Sequence, residues 1–317
     1  MAVKWSIALF ASLCCLLFWG CKQATHFQMQ LEHMNELESI IYVEGQAKIL
    51  LLPIQESADE SLLQIESGDG NKIMQTLDVH MAVDSIDYFV PLDLDNYRQG
   101  SGETIMIRMK GLYNNAVTWD AIELVDTFDT TNRETFRPIY HHTPLYGWMN
   151  DANGLVYKDG EYHLYFQYNP YGSVWGNMHW GHSVSKDLMH WEHKAPVIAR
   201  DSLGHIFSGS SVVDVENTAG YGAGAIIAFY TSASEKNGQI QCMAYSKDNG
   251  YTYTKYEKNP ILTPFDGIKD FRDPKVFWYN PEKKWIMIVS ADKEMRFYAS
   301  YNLKDWTYLS AWGEGYG

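Results

Sequence analysis

The chain has 317 residues, is 46% hydrophobic, and carries 25 Lys and Arg against 39 Asp and Glu, a net charge of −14. That length allows one large domain or two ordinary ones, and the hydrophobic share supports a sizeable core, which excludes a wholly disordered chain. The negative balance disfavours nucleic acid and anionic membrane surfaces as partners, because both are polyanions that require a basic face.

At the N-terminus, Lys4 precedes an uncharged apolar run over residues 5–19, followed by Gly20-Cys21. The run is too short for a comfortable membrane span and predicts an export signal. Its Gly-Cys ending resembles a bacterial lipoprotein signal. Residues 1–21 are therefore expected to be a lipoprotein-type signal peptide, with Cys21 lipidated. The exported chain would then meet the membrane only through a lipid anchor at the cell envelope. Cys14 and Cys15 also lie in this leader, which leaves Cys242 alone in the body. No intrachain disulfide is expected after processing, and Cys242 is expected to be a buried small hydrophobe.

Residues 25–135 show short apolar runs, among them Ile40-Ile41-Tyr42-Val43, Ile49-Leu50-Leu51-Leu52, Tyr88-Phe89-Val90-Pro91-Leu92 and Ile105-Met106-Ile107. Turn-rich stretches such as Ser67-Gly68-Asp69-Gly70-Asn71 separate them. Short strands at such spacing predict a small antiparallel β-sandwich. No clustered acid–base groups occur there, so an accessory or packing role comes first and carbohydrate binding second. The polar, Thr-rich residues 126–133 read as a linker.

From residue 136 to 317 a loose repeat emerges. Ser185-Lys186-Asp187 is echoed by Ser246-Lys247-Asp248 and by Ser300-Tyr301-Asn302. Each copy follows a strand-like run: His163-Leu164-Tyr165-Phe166, then Ile226-Ile227-Ala228-Phe229-Tyr230, then Trp285-Ile286-Met287-Ile288-Val289. A period of about 50 to 60 residues, each with several strands and a polar turn, suggests propeller blades. One blade cannot bury both faces alone, so neighbours stack, and their inner strands aim side chains at a shared funnel. About three blades are visible, fewer than a closed ring needs.

Two carboxylates stand out. Asp151 lies in Trp148-Met149-Asn150-Asp151-Ala152-Asn153-Gly154, ahead of the strand-like Leu155-Val156-Tyr157. Asn150 and Asn153 are placed to bond ligand hydroxyls. Asp273 lies in Phe271-Arg272-Asp273-Pro274, where Arg272 is expected to hold it ionised. On pattern alone, ordinary turn chemistry is the commoner explanation for both. The 22 Tyr and 11 Trp likewise suit sheet packing as readily as stacking on sugar rings.

The Trp-Met-Asn-Asp stretch, with Gln167-Tyr168-Asn169-Pro170, Trp175-Gly176-Asn177-Met178-His179-Trp180-Gly181-His182, Phe207-Ser208-Gly209-Ser210 and Phe271-Arg272-Asp273-Pro274 in order, resembles glycoside hydrolase family 32, the β-fructofuranosidases. Ala152 departs from the usual Pro. The resemblance implies an all-β, five-bladed propeller, here incomplete, and a retaining mechanism. In it Asp151 is the nucleophile and Asp273 the transition-state stabiliser, while Arg272 orients the sugar. Asn150, Gln167, Trp175, Phe207 and Ser208 would line the pocket. The implied partner is a fructan or fructo-oligosaccharide, or sucrose, and no metal or organic cofactor is implied. The family's acid/base glutamate, expected in a Glu-Cys motif, is not found, since Cys242 follows Gln241. The sequence therefore reads as truncated, and the chain itself is expected to hydrolyse negligibly. The competing readings are a surface fructan-binding protein or non-catalytic remnant, and a propeller enzyme acting on other furanosides.

Overall fold

A computed structural model describes residues 28–98, 104–131, 135–265 and 267–313; the expected leader and Cys21 lie outside them. Among the described residues regular structure is almost all strand. The N-terminal part contains β1 (Gln28–His33), β2 (Glu38–Glu44), β3 (Ile49–Ile54), β4 (Ser61–Ser67), β5 (Ile73–Val79), β6 (Tyr88–Asp93), β7 (Ile105–Lys110) and β8 (Glu123–Val125). They form a five-stranded sheet in the order β1-β2-β7-β4-β5 and a three-stranded sheet in the order β6-β3-β8. Alternation along the strands explains their pairing: Leu63 and Ile65 of β4, Ile107 and Met109 of β7, and Leu50 and Leu52 of β3 all point into one shared core. Each such fully buried side chain contributes about 1.5–3 kcal/mol over its exposed state. The apolar runs at residues 40–43, 49–52, 88–92 and 105–107 all fall in strands.

The rest of the chain forms three antiparallel four-stranded meanders. The first comprises β9 (Trp148–Lys158), β10 (Glu161–Asn169), β11 (His179–Ser185) and β12 (Glu192–Ile198). The second comprises β13 (His205–Asp214), β14 (Ala225–Ser234), β15 (Gly238–Ser246) and β16 (Thr254–Lys255). The third comprises β17 (Phe271–Tyr279), β18 (Lys284–Ala291), β19 (Glu294–Ser300) and β20 (Thr307–Trp312). Neighbouring sheets stack face to face. Tyr165 and Trp180 of the first meet Tyr230 and Cys242 of the second in one core. Ile227 and Phe229 of the second meet Val276 and Met287 of the third in another. The middle sheet is thus covered on both sides, which is why β14 reads Ile-Ile-Ala-Phe-Tyr with no polar alternation and is buried along nearly its whole length. On β20, by contrast, every residue is exposed.

The Ser-x-Asp repeat is the same turn used three times. It follows β11, β15 and β19, the third strand of each meander. In each copy the Ser hydroxyl donates to the side chain two residues on: Ser185 to Asp187 at 3.2 Å, Ser246 to Asp248 at 2.7 Å, Ser300 to Asn302 at 3.2 Å. The third residue after the Ser is left-handed in each, at Leu188, Asn249 and Leu303. A hydroxyl bond to a carboxylate or amide oxygen closes the turn locally and leaves the ladder free to end there. Cys242 is fully buried, as its lone place in an apolar run predicts.

Candidate active site

The first strands of the three meanders lie side by side, with β13 packed against both β9 and β17. Each carries an irregularity at the corresponding place. On β9, Met149 pairs with Tyr168 and Ala152 with Phe166, so Asn150-Asp151 contains one extra residue. On β13, Ile206 pairs with Ser232 and Gly209 with Tyr230, so the extra residue falls in Phe207-Ser208. On β17, Arg272 pairs with Ser290 and Lys275 with Ile288, so it falls in Asp273-Pro274. A β-bulge bends its strand and re-aims a side chain out of the regular alternation. Here three bulges deliver Asp151, Ser208 and Asp273 to one place.

One side-chain bond spans two of the bulges. Ser208 Oγ donates to Asp151 Oδ2 at 2.8 Å. Desolvation raises the Asp273 pKa above the ordinary carboxylate value, Arg272 opposes it, and the negative charge of Asp151 adds to it. Buried bonds between sheets set the spacing. Gln167 Nε2 donates to the Ile206 carbonyl at 2.9 Å and Trp180 Nε1 to the Phe207 carbonyl at 3.0 Å, fixing the first meander to β13. Ser210 Oγ donates to the Pro274 carbonyl at 2.7 Å and accepts from Val276 N–H at 2.9 Å, fixing β13 to β17. Pro274 has no N–H, and a bulge is where a strand can dispense with one. Asp273 adopts φ 61, a left-handed conformation that Asp tolerates better than most residues.

Several expectations need correction. Asp151 is not in a turn ahead of a strand: it lies inside β9, and the turn-forming residues around it mark bulges. Arg272 pulls Asp273 toward its ionised form as expected, but its stronger partner is Asp270. Its Nη1 donates to Asp270 Oδ1 at 2.6 Å, while its Nε stands 3.9 Å from Asp273 Oδ2. The Asp273 side chain keeps about half its surface, 53%, in solvent. The surrounding walls nevertheless withdraw enough water to raise its pKa, and this desolvation outweighs the pull of Arg272. Asn153 is buried mid-sheet opposite Tyr165, and neither of its amide atoms has a hydrogen-bond partner among the described residues.

The other predicted pocket residues divide by exposure. Asn150 is exposed beside Asp151. Trp175 is 52% exposed and meets His205 and Phe207, with ring centroids at 5.5 and 6.0 Å, so it stands at a rim and not in a core between sheets. Gln167 is buried and acts as a strut beneath the site. Sequence reasoning missed Thr231 and Gln239. Thr231 Oγ1 accepts the Asp273 N–H at 3.1 Å and donates to Gln241 at 2.8 Å. Gln239 Oε1 accepts the Phe271 N–H at 2.9 Å and lies 3.4 Å from Arg272 Nη1. Neither sits in a motif, and only the packing of the second sheet against the third brings them to β17.

A cleft of about 880 Å³ lies elsewhere, between the N-terminal sheets and the first meander, and contains neither Asp151 nor Asp273. The carboxylates occupy an open mouth, so chemistry and not enclosed volume marks the site. Among the described residues no group of three His, Cys, Asp or Glu could hold a metal ion. No described helix is long and apolar enough to cross a membrane.

The family model described as the glycosyl hydrolases family 32 N-terminal domain matches residues 141–316, and a domain of unknown function, DUF4980, matches residues 35–140. A levanase of Bacillus subtilis (strain 168) is 54% identical over 187 residues, covering 58% of this chain and 27% of the relative. Invertase 1 of Saccharomyces cerevisiae is 46% identical over 200 residues, covering 59% of this chain and 37% of the relative. The crystal structure of exo-inulinase from Aspergillus awamori superposes with a TM-score of 0.54 at 39% identity, covering 59% of this chain and 41% of that one. The chain thus spans less than half the length of each of these relatives.

Proposed function

We propose, because the chain belongs to glycosyl hydrolase family 32, that its three bulges form the fructosyl-binding half of a site that cleaves β-fructofuranosidic bonds in fructans or sucrose with retention. The levanase, invertase and exo-inulinase relatives support this substrate class. The observation that carries it is the meeting of Asp151, Ser208 and Asp273 at one mouth. Asp151 attacks the anomeric carbon and forms a covalent fructosyl-enzyme. The Ser208 hydroxyl fixes which Asp151 oxygen is free to attack. Asp273 accepts hydrogen bonds from ring hydroxyls that tighten as positive charge develops. Arg272, steadied by Asp270, and Asn150 hold further hydroxyls, while Trp175 and Phe207 form the apolar wall. We read the three meanders as blades of the family's five-bladed ring, the N-terminal sheets as an accessory sandwich, and Cys21 as the lipid attachment of an exported protein.

The leaving oxygen must also be protonated. The glutamate expected to do this would sit in a Glu-Cys motif, and here Cys242 follows Gln241. Without a positioned acid, which contributes on the order of 10² to 10⁴ in rate, this chain turns over natural fructans negligibly. A β-fructoside with an activated aryl leaving group needs no acid for the first step. Incubated with such a compound, the chain should gain one fructosyl unit at Asp151, read by mass spectrometry of peptides, while levan, inulin and sucrose release negligible fructose. Labelling that persists in Asp151→Asn overturns the assignment.

A further inference from the structure

The N-terminal sheets touch the loop that carries Trp175 at both of its ends. At one end, Ser173 donates to Glu56 Oε1 twice, from its N–H at 3.0 Å and from its hydroxyl at 2.6 Å. Glu56, just beyond β3, is itself held: its N–H donates to Asp87 at 2.9 Å, and the Tyr88 hydroxyl donates to the same carboxylate oxygen. At the other end, Asn177 lies across β5. Its Oδ1 accepts the Asp78 N–H at 3.0 Å, and its Nδ2 donates to the Asp78 carbonyl. Arg200 closes this junction by donating through Nη1 to Asp78 Oδ2 at 2.7 Å and to Asn177 Oδ1 at 2.9 Å. Asn177 is 3% exposed, and its φ of 41 is a conformation that those bonds stabilise. Between the two grips sit Val174, Trp175 and Gly176. Trp175 rests on His205 and Phe207, and Phe207 adjoins Ser208, the partner of Asp151.

We propose that Glu56 and the Asp78–Asn177–Arg200 cluster are positioning residues, through which the N-terminal sheets clamp residues 173–177 and hold Trp175 as a wall of the site. A five-residue surface loop with one large aromatic has many accessible arrangements, and fixing each residue costs about 1–2 kcal/mol of backbone entropy. Two of the loop's anchors come from outside the sheet that bears it, and the Glu56 anchor is charge-assisted. The N-terminal part is therefore more than an accessory: it completes the rim for a bound sugar. The consequence for ligand affinity rests on the fructosyl-binding reading above; the clamp itself does not.

The test uses the full chain. Indole ¹⁵N–¹H NMR follows Trp175, identified through Trp175→Phe, and hydrogen exchange by mass spectrometry follows residues 173–177. In Glu56→Ala and in Asn177→Gly, which tolerates the backbone angle, the Trp175 resonance is expected to shift and broaden and the loop to exchange at least tenfold faster. The other indoles hold their positions. Glu56→Gln keeps an acceptor for Ser173 and should restore the native resonance. Affinity for 1-kestose should fall about tenfold in the two clamp variants. If the parent chain does not bind 1-kestose, the fructosyl-binding reading fails while the NMR and exchange arms still decide the clamp. An unmoved Trp175 resonance with unchanged loop exchange in both variants overturns the clamp, as does equal movement of every indole.

Discussion

Replacing Gly209 with Ala should be among the costliest single-methyl changes in the molecule. An added Cβ would stand 1.9 Å from the Phe229 carbonyl oxygen, 2.8 Å from its carbon and 3.0 Å from Tyr230 Cα. All three are backbone atoms of β14, so no rotamer change relieves the clash, and β13 must move away from its partner where Gly209 pairs with Tyr230. Overpacking a rigid site costs about 1–3 kcal/mol, and a weakened ladder bond adds about 1 kcal/mol, so a loss of about 2–4 kcal/mol is expected. Gly160 serves as the reference. Nothing lies within 4 Å of its Cβ position, and only its φ of 89 opposes Ala there, which costs about 1–2 kcal/mol. Urea unfolding followed by tryptophan fluorescence gives both values. Because Gly209 adjoins Ser208, Gly209→Ala should also abolish labelling at Asp151, and Gly160→Ala should not. If Gly209→Ala costs no more than Gly160→Ala, the close approach of β13 and β14 that sets the Ser208 bulge is wrong.

Acid should destabilise the fold through buried imidazoles. Burial lowers His179 and His182 to about 3, against an ordinary value near 6.5. Below that ordinary value the unfolded chain takes up protons that the folded chain refuses, so stability is full above pH 6.5 and falls as pH drops. Each imidazole removes about 1.4 kcal/mol per pH unit once the pH is well below 6.5. Urea midpoints from pH 7 to pH 5 should show the decline, and His182→Gln should make it shallower; an unchanged slope contradicts the assignment. Cys242 is pushed up to about 12 by burial. Iodoacetamide at pH 8 should leave it unmodified in the native chain and alkylate it in urea, whereas rapid native labelling would contradict its burial.

The architecture is legible in the sequence where local chemistry repeats. Ser185, Ser246 and Ser300 each close one turn with a hydroxyl–carboxylate or hydroxyl–amide bond, and that signal survives divergence of the strands around it. Apolar alternation finds β2, β3, β6 and β7, while β4 and β5 are less plain because polar residues such as Gln64, Glu66 and Asp78 interrupt them. The site is legible as residues but not as geometry. Asp151, Ser208 and Asp273 each lie in a recognisable motif, yet a bulge is a property of pairing with another strand, so residues 148–154 read as turn formers when taken alone. The balance at Asp273 was hidden for the same reason. Arg272 is adjacent in sequence, but its short bond goes to Asp270, and the desolvation of Asp273 is a property of the folded site. The grip of Glu56 and Asp78 on the Trp175 loop spans two parts of the chain that share no sequence pattern.

The central claim is that the Asp151 and Asp273 carboxylates face one another across a single mouth. Carboxyl ¹³C NMR of Asp273, titrated in the chain and in Asp151→Asn, tests it without requiring turnover. The expected result is an Asp273 midpoint above the usual carboxylate value that falls when the Asp151 charge is removed. An Asp273 midpoint that stays where it was in Asp151→Asn would place the two groups too far apart to hold the same sugar.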